Sequence, residues 1–318
     1  MQNIPTYKPP FWLFNRHLET IFPSLCRNVP LESYQRERID TPDGDFLDID
    51  WIIKGHEKLV ILCHGLEGDS YRPYMKGMAR AFSRNGFDVT SMNYRGCSGE
   101  MNRKPRFYHS GATDDLDTVI TSVTDRKKYR ELYIIGFSLG GNMVLKFLGE
   151  KGNKINPLIK KAITLSVPLD LSGSCLEIAK GENVLYERRF LKSLKKKITE
   201  KTRLGLLQAD LQRLKKVNSV WEFDEHFTAP LHGFKGAVDY YKKCSALGFI
   251  DQIAIPTLII NAQNDTFLSE TCYPEDQLRE HPYVYLEMPE RGGHVGFSSF
   301  QENGMYWSEK RALAFFTT

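Results

Sequence analysis

The sequence lacks long hydrophobic runs. No apolar stretch in its 318 residues approaches the roughly 20 residues that a membrane-spanning helix requires, and 59–63 is typical of its longest apolar runs. Residues 1–10 have neither the apolar core of a secretory signal peptide nor the Arg-rich amphipathic pattern of a transit peptide. We therefore expect a cytoplasmic protein without an integral membrane segment.

Cysteines are few, and none is paired with another as C-x-x-C. The six stand at positions 26, 63, 97, 175, 244 and 272. A chain of this length buries a large core without disulfide crosslinks, so we expect free thiols. The eight histidines are scattered and no H-E-x-x-H is present, so we expect no metal site. Neither G-x-x-x-x-G-K-[ST] nor G-x-G-x-x-G occurs, and we expect no phosphate-bearing or dinucleotide cofactor.

A large excess of charge of one sign is also missing. The formal net charge is +4, and 41% hydrophobic with 26% charged residues is ordinary for a folded soluble protein. The charge is uneven, because Glu187 to Lys216 holds eleven Lys and Arg against three Asp and Glu. A basic segment in an otherwise acidic chain predicts no nucleic-acid partner. Peripheral contact of this segment with anionic lipid stays open, as does the oligomeric state.

Short β-rich runs alternate with amphipathic helices along much of the chain. Helical spacing of apolar residues predicts helices around 75–82, 113–123, 139–149 and 305–316. The predicted strands are Ser33 to Ile39, Phe46 to Ile53, Leu59 to Cys63, Phe87 to Met92, Leu132 to Ile135, Ala162 to Val167, Pro256 to Asn261 and Val284 to Met288. This alternation predicts an α/β protein with a mostly parallel eight-stranded sheet flanked by helices.

The alternation breaks after Pro168. About sixty residues follow that have helical periodicity and no strand signal. Within them, Leu204, Leu207, Leu211 and Leu214 have the spacing of one apolar stripe on a charged helix. We expect a single domain over 1–318, with a helical lid inserted at 168–230.

The strongest chemical signal is Gly136-Phe137-Ser138-Leu139-Gly140. It follows a predicted strand and opens a predicted helix, which is the context of a G-x-S-x-G nucleophile elbow. The turn is tight enough to need glycine two residues before and after the serine, and it projects the Ser138 hydroxyl from the sheet edge. The competing interpretation is a Gly-rich turn with an incidental serine.

A serine hydroxyl needs a base, and this fold supplies its acid and base later in the chain. Asp265 follows the seventh predicted strand and His294 the eighth, both in loops where open α/β sheets place active sites. We predict that His294 accepts the Ser138 proton and that Asp265 orients the His294 ring. The competing acids and histidines, which lack these positions, are His226, His232, His281, Asp251 and Asp276.

Acyl transfer also needs donors for a developing oxyanion. The loop His64-Gly65-Leu66-Glu67-Gly68 follows a buried strand and can turn its Leu66 N–H towards the site. Leu139 N–H, directly after the nucleophile, would supply the second donor. We expect His64 to anchor this loop rather than to act as a base.

Taken together, these stretches resemble the YheT-like branch of the α/β-hydrolase superfamily. That branch includes bacterial esterases, fungal medium-chain fatty acid ethyl ester synthase/esterases and membrane-anchored mammalian relatives. The matching stretches are His17 to Ser24, His64 to Gly68, Asn93 to Gly99, Gly136 to Asn142, Asp224 to Asp239 and Gly292 to Phe297.

The resemblance implies the roles of nucleophile, acid and base for Ser138, Asp265 and His294. Two departures are visible: Glu19 stands where a Gln is expected, and no membrane anchor precedes this stretch as in the mammalian relatives.

The function predicted from the residues and the resemblance is that of a serine carboxylesterase acting on short- to medium-chain acyl esters through an acyl-enzyme. One alternative is an acyltransferase, an ester synthase that passes the same acyl group to an alcohol. Another is a non-catalytic binding protein that keeps the fold. Amide cleavage is less favoured, although no residue forbids it.

Overall fold

The computed structural model describes residues 6–30, 33–299 and 304–318. Eight strands are present in this part of the chain: β1 (Gln35–Asp40), β2 (Phe46–Ile52), β3 (Lys58–Cys63), β4 (Asp88–Asn93), β5 (Glu131–Phe137), β6 (Ile159–Leu165), β7 (Thr257–Ile260) and β8 (Val284–Glu287). They form one sheet in the order β1-β2-β4-β3-β5-β6-β7-β8. β2 is antiparallel to β1 and β4, and the other pairs are parallel. The predicted mostly parallel eight-stranded sheet is confirmed.

Helices connect these strands. In chain order they are α1 (Arg16–Cys26), α2 (Pro73–Ser83), α3 (Thr113–Asp125), α4 (Leu139–Lys151), α5 (Leu171–Ile178), α6 (Val184–Arg203), α7 (Leu211–Lys216), α8 (Val220–Phe223), α9 (Ala229–Leu231), α10 (Ala237–Cys244), α11 (Glu275–Leu278) and α12 (Trp307–Thr317). A π-helix over Asp224–Thr228 joins α8 to α9.

Alternate residues of the central strands face opposite sides of the sheet, as the two-residue period of a strand requires. Leu59 and Ile61 of β3 pack with α3 and α4 on one face. Val60 and Leu62 pack with α2 and α12 on the other face. Both faces are therefore covered, which explains why β3 is apolar from Leu59 to Cys63.

A long helical segment separates β6 from β7. Its helices α5, α6, α8 and α10 pack onto the same core as α3 and α4. Helical structure continues beyond position 230, because α10 and a 3-10 helix over Ala246–Gln252 precede β7. The assignment of 168–230 as a lid stays a prediction.

The predicted leucine stripe on a single helix is wrong. Helix α6 ends at Arg203 and α7 begins at Leu211, with Gly205 at a φ of +72° between them. A glycine in this left-handed conformation ends a helix at low cost. Leu204 is consequently half-exposed, whereas Leu207 and Leu214 are buried.

Across 6–30, 33–299 and 304–318, we find no helix with the length and apolar character needed to cross a membrane.

Candidate active site

The turn between β5 and α4 forces Ser138 into an unusual conformation. Its φ of 51° and ψ of −121° lie outside the regions that residues with side chains favour. Glycine is required on both sides, because a Cβ at Gly136 would lie 2.5 Å from the Gly140 carbonyl oxygen. At Gly140, a Cβ would lie 2.5 Å from the carbonyl oxygens of Cys63 and His64. The glycine pattern of the predicted elbow therefore has a steric cause.

The structure brings Ser138, His294 and Asp265 together, although they come from three distant parts of the chain. The distance from His294 Nε2 to Ser138 Oγ is 2.9 Å, and the distance from His294 Nδ1 to Asp265 Oδ2 is 2.8 Å. Asp265 is buried, and its Oδ1 accepts the Phe267 N–H at 3.0 Å. With the proton on Nδ1 the ring donates to Asp265 and accepts the serine hydroxyl at Nε2. This arrangement can move a proton from Ser138 to His294.

The competing residues lie elsewhere. His226, Asp251 and Asp276 are exposed to solvent. His232 has each ring nitrogen within 2.9 Å of a backbone carbonyl, of Thr228 and of Phe107, so its ring joins two loops. Within the described residues, none of these side chains, nor that of His281, forms a hydrogen bond with Ser138 or His294.

His64 anchors the loop that follows β3. Its Nδ1 lies 2.7 Å from the Gly65 carbonyl oxygen, and its Nε2 accepts the Tyr94 N–H at 3.2 Å. Both nitrogens are satisfied by a neutral ring that carries its proton on Nδ1. Complete burial lowers the pKa of His64 to about 3, so the ring stays uncharged. It has no capacity left to serve as a base.

The same loop carries Leu66 close to Ser138. A Cβ at Gly65 would lie 3.2 Å from the Ser138 Cβ, which shows how near the loop backbone comes. Leu66 lines two cavities that meet at Ser138, and Leu139 lines one of them. In the part of the chain that the structure describes, neither the Leu66 N–H nor the Leu139 N–H has a protein acceptor.

Glu67, the next residue, ties the loop to helix α6. Its φ is 51°, again left-handed, and its N–H donates to the Tyr108 hydroxyl at 2.7 Å. The buried carboxylate accepts Lys197 Nζ at 2.7 Å, the Ser193 hydroxyl at 2.6 Å and the Tyr108 hydroxyl at 2.7 Å. Burial alone would raise the pKa of Glu67, but Lys197 and these hydroxyls outweigh it and hold the pKa below its usual range. Sequence reasoning missed this cluster.

Helix α1 fixes the loop that carries His294. The His294 N–H donates to Thr20 Oγ1 at 2.9 Å, and the Gly292 N–H donates to Glu19 Oε2 at 2.8 Å. Asn264, beside Asp265, donates to the same Glu19 oxygen at 2.9 Å. Glu19 is buried and forms an ion pair with Arg291. The negative charge that this chain has at position 19, where the family resemblance predicts a Gln, is therefore balanced by Arg291. The resemblance marked this stretch, but no sequence signal showed what it contacts.

Two cavities flank Ser138. The first, of about 210 Å³, also reaches His294, α1 and α6. The second, of about 100 Å³, is largely apolar and lies under the helical segment. Its apolar lining includes Phe107, Leu171, Ile178, Leu194 and Phe267. A site with two cavities at one serine, one of them largely apolar, can hold two parts of one substrate.

Among the residues with described positions, no three His, Cys, Asp or Glu side chains are grouped as metal ligands.

Comparison of the sequence with known proteins identifies the family of this chain. A family model for the alpha/beta hydrolase fold matches residues 58–300. The protein named "Putative esterase YheT" from Escherichia coli (strain K12) is 35% identical over 311 residues, which cover 96% of this chain and 91% of that protein. Medium-chain fatty acid ethyl ester synthase/esterase 2 from Saccharomyces cerevisiae (strain ATCC 204508 / S288c) is 29% identical over 283 residues, covering 81% of this chain and 62% of that protein.

A solved structure agrees on the fold. The Pyrococcus furiosus esterase Pf2001 superposes with a TM-score of 0.61 at 19% identity, covering 91% of this chain and 97% of that chain. At this identity the likeness shows the fold alone. The predicted α/β-hydrolase fold is confirmed. The chain therefore belongs to the α/β-hydrolase family and, within it, to the YheT-like branch.

Proposed function

We propose that the protein is a serine carboxylesterase whose nucleophile is Ser138. The observation that carries the proposal is the hydrogen-bonded series from Ser138 Oγ through His294 to Asp265, with distances of 2.9 and 2.8 Å. Both distances are within the reach that a nucleophile and its base require. The family supports a hydrolase, and the names of the relatives support ester substrates.

The proposed reaction uses these three residues in sequence. Ser138 Oγ attacks the ester carbonyl carbon while His294 Nε2 takes its proton. The imidazolium, stabilised by Asp265, then gives that proton to the departing alkoxide, and the C–O bond breaks to leave an acyl-enzyme and a free alcohol. A water molecule deprotonated by His294 attacks the acyl-enzyme, and the returning proton restores the Ser138 hydroxyl as the acid leaves.

Two backbone donors would stabilise the oxyanion formed in each step. We assign these roles to the N–H groups of Leu66 and Leu139, which border the space around Ser138. A donor aimed at the developing charge typically contributes about 10²–10³ in rate. The substrate we propose is an ester of a short- to medium-chain acid, because a small apolar cavity adjoins the nucleophile and because the yeast relative is named for such esters.

The test combines covalent labelling with turnover. A fluorophosphonate should label the protein at Ser138, and p-nitrophenyl esters of short acids should be hydrolysed. Ser138→Ala should abolish both, whereas Ser33→Ala, at an exposed serine, should change neither. Correctly folded protein that is not labelled would contradict the proposal and favour a binding protein that only keeps the fold.

A second candidate is an acyltransferase that uses the same acyl-enzyme. The yeast relative is named both an ester synthase and an esterase, and this name supports the acyltransferase as a second candidate. The two activities differ only in whether water or an alcohol attacks the acyl-enzyme. Hydrolysis in the presence of increasing ethanol, followed by measuring the ratio of acid to ethyl ester, separates them.

A further inference from the structure

The second cavity contains one carboxylate among apolar side chains. Asp224 lines this cavity together with Ser138, Leu171 and Phe267. Its side chain is surrounded by protein, yet part of the residue remains accessible, because it faces the cavity. The mechanism above makes no use of it. A carboxylate that lines the same cavity as Ser138 therefore needs an explanation.

The local backbone presents this carboxylate to the cavity. Asp224 is the first residue of the π-helix that follows α8, a type of irregular turn often found at functional sites. The Tyr241 hydroxyl, from α10, donates to Asp224 Oδ2 at 2.7 Å and fixes the carboxylate. A carboxylate accepts about four hydrogen bonds, so acceptor capacity remains after the bond from Tyr241.

No cation compensates the charge within 6–30, 33–299 and 304–318: no lysine, arginine or histidine in these ranges forms an ion pair with Asp224. Burial raises the pKa of Asp224 to about 6, and the group is therefore mainly ionised at neutral pH. An ionised carboxylate facing an apolar space is costly unless a donor reaches it. The missing partner is a group that enters the cavity.

We propose that the second cavity receives the acyl chain of the substrate and that Asp224 binds a hydroxyl or ammonium group carried on that chain. This inference rests on the proposed esterase function, and it narrows the substrate to acyl esters with a hydrogen-bond donor distant from the ester carbonyl. The apolar walls contact the methylene groups between the ester and the donor. A carboxylate-terminated chain is rejected, because two like charges would meet in a space that water scarcely screens.

Selectivity should be large, because an unsubstituted chain offers the carboxylate no hydrogen-bond donor. Sites built to hydrogen-bond a substrate group discriminate strongly against analogues that lack it. We expect the donor-bearing chain of optimal length to bind at least about tenfold more tightly than the alkyl chain of equal length.

The experiment measures binding without turnover. In full-length protein carrying Ser138→Ala, titration calorimetry compares straight-chain methyl esters of increasing length, each as the unsubstituted, ω-hydroxy and ω-amino form. We expect one length at which both donor forms bind at least about tenfold better than the unsubstituted ester. Equal binding of the three forms at every length overturns the inference.

Variants in the same background identify the acceptor. Asp224→Leu should remove the preference for both donor forms. Asp224→Asn, the variant less prone to misfolding, should remove the preference for the ammonium and weaken that for the hydroxyl. Glu222→Gln removes an equal charge two residues away on the exposed side of α8 and should leave both preferences intact. Preferences that survive Asp224→Asn and Asp224→Leu overturn the assignment to Asp224.

The two proposals fail in different ways. Absence of ester hydrolysis and of fluorophosphonate labelling in the unsubstituted protein refutes the esterase proposal. Normal hydrolysis of alkyl esters, together with equal binding of all three ester forms to the Ser138→Ala protein, refutes only the inference about Asp224.

Discussion

Two regions flank Ser138 and hold their shape by different means. The turn around Ser138 is held by backbone sterics, because a Cβ at Gly136 would meet the Gly140 carbonyl oxygen and one at Gly140 would meet those of Cys63 and His64. The loop around Leu66 is held by Glu67, whose partners Tyr108, Ser193 and Lys197 lie 41, 126 and 130 residues further along the chain. One region is shaped by close backbone contact, and the other depends on a buried ion pair with a distant helix.

The difference has a consequence for how each region tolerates change. A clash in the elbow has no remedy elsewhere, because the atoms that collide are backbone atoms. A lost partner of Glu67 leaves an unpaired buried charge, and a second substitution can remove that charge. The two regions should therefore differ in whether a compensating variant rescues them.

The largest effect should come from His294, the residue that we propose as the base. His294→Ala removes the acceptor of the Ser138 proton and should lower kcat by about a million-fold, as losing the base does in a serine hydrolase triad. The free energy of unfolding should change much less. Steady-state kinetics with a p-nitrophenyl ester and urea unfolding measure the two effects. Activity close to that of the unsubstituted protein would contradict the assignment of His294.

Gly140→Ala breaks the elbow. The new Cβ would lie 2.5 Å from two backbone carbonyl oxygens and 2.6 Å from the Tyr94 hydroxyl, so the turn must move. A displaced nucleophile should lower kcat at least about hundredfold, and overpacking should cost about 1–3 kcal/mol of stability. The control is Gly181→Ala, because Gly181 lies in open space and has an ordinary φ. Gly86→Val would not serve as a control, because the φ of +86° at Gly86 disfavours any side chain. An unchanged kcat in Gly140→Ala would show that the elbow is not sterically fixed.

Lys197→Met breaks the support of the Leu66 loop. Glu67 then remains buried without its cation, and we expect kcat to fall by about ten- to a hundredfold while KM changes little, because an oxyanion donor acts only in the transition state. Affinity for a trifluoromethyl ketone, which forms a tetrahedral adduct, should fall in parallel. A role in overall folding alone would leave this affinity unchanged in the fraction that stays folded.

The double variant Glu67→Gln/Lys197→Met supplies the rescue. Glutamine keeps an oxygen for the Ser193 and Tyr108 hydroxyls without the unpaired charge, so kcat and stability should recover part of the loss. If kcat of the double variant is lowered by the product of the two single-variant factors, there is no rescue, and the claim that a compensating substitution can restore the Leu66 loop is contradicted.

The smallest effect contrasts two buried carboxylates. Because the pKa of Asp224 is raised to about 6, the Asp224 carboxyl group binds a proton more tightly in the folded protein than in the unfolded chain. The ionised group lowers stability at neutral pH, and this loss disappears as the pH falls from about 7 to about 4. Asp224→Asn should therefore raise the free energy of unfolding by about 2–3 kcal/mol at neutral pH and have little effect near pH 4.

Glu67 should show the opposite sign. Its pKa is lowered in the folded protein, so it stabilises the fold above its unfolded pKa, and this contribution is lost as the pH falls through its folded pKa. Glu67→Gln should destabilise the protein at neutral pH. Urea unfolding across this pH range measures both variants, and the same sign for both would contradict the different roles assigned to them.

Local patterns predicted much of the fold. The short β-rich runs and the amphipathic runs predicted the strands and several helices, and the glycines around Ser138 predicted the tight turn. The placement of Asp265 and His294 after the seventh and eighth strands was predicted because parallel strands end at a common edge. Their catalytic roles stay predictions.

The errors and omissions involve contacts between distant residues. The spacing from Leu204 to Leu214 fits one helix, but α6 ends at Arg203, so Leu204 and Leu207 lie in the connection that contains Gly205 and only Leu211 and Leu214 lie in α7. Spacing along the chain did not reveal that Glu67 meets Lys197, or that Asp224 faces the same cavity as Ser138. These contacts depend on how the helical segment packs on the sheet, and such packing is not encoded in a local period.

The hydrogen bond from the His294 backbone to Thr20 joins residues separated by 274 positions. During synthesis, α1 leaves the ribosome before the strands of the sheet, and the loop that carries His294 leaves after them. The contact between α1 and this loop therefore forms only after the strands have been synthesised. A nascent chain that lacks the loop around His294 would already contain Ser138 but not the base that we propose. If His294 has that role, reactivity towards esters would arise only after this loop has been synthesised and has docked on α1.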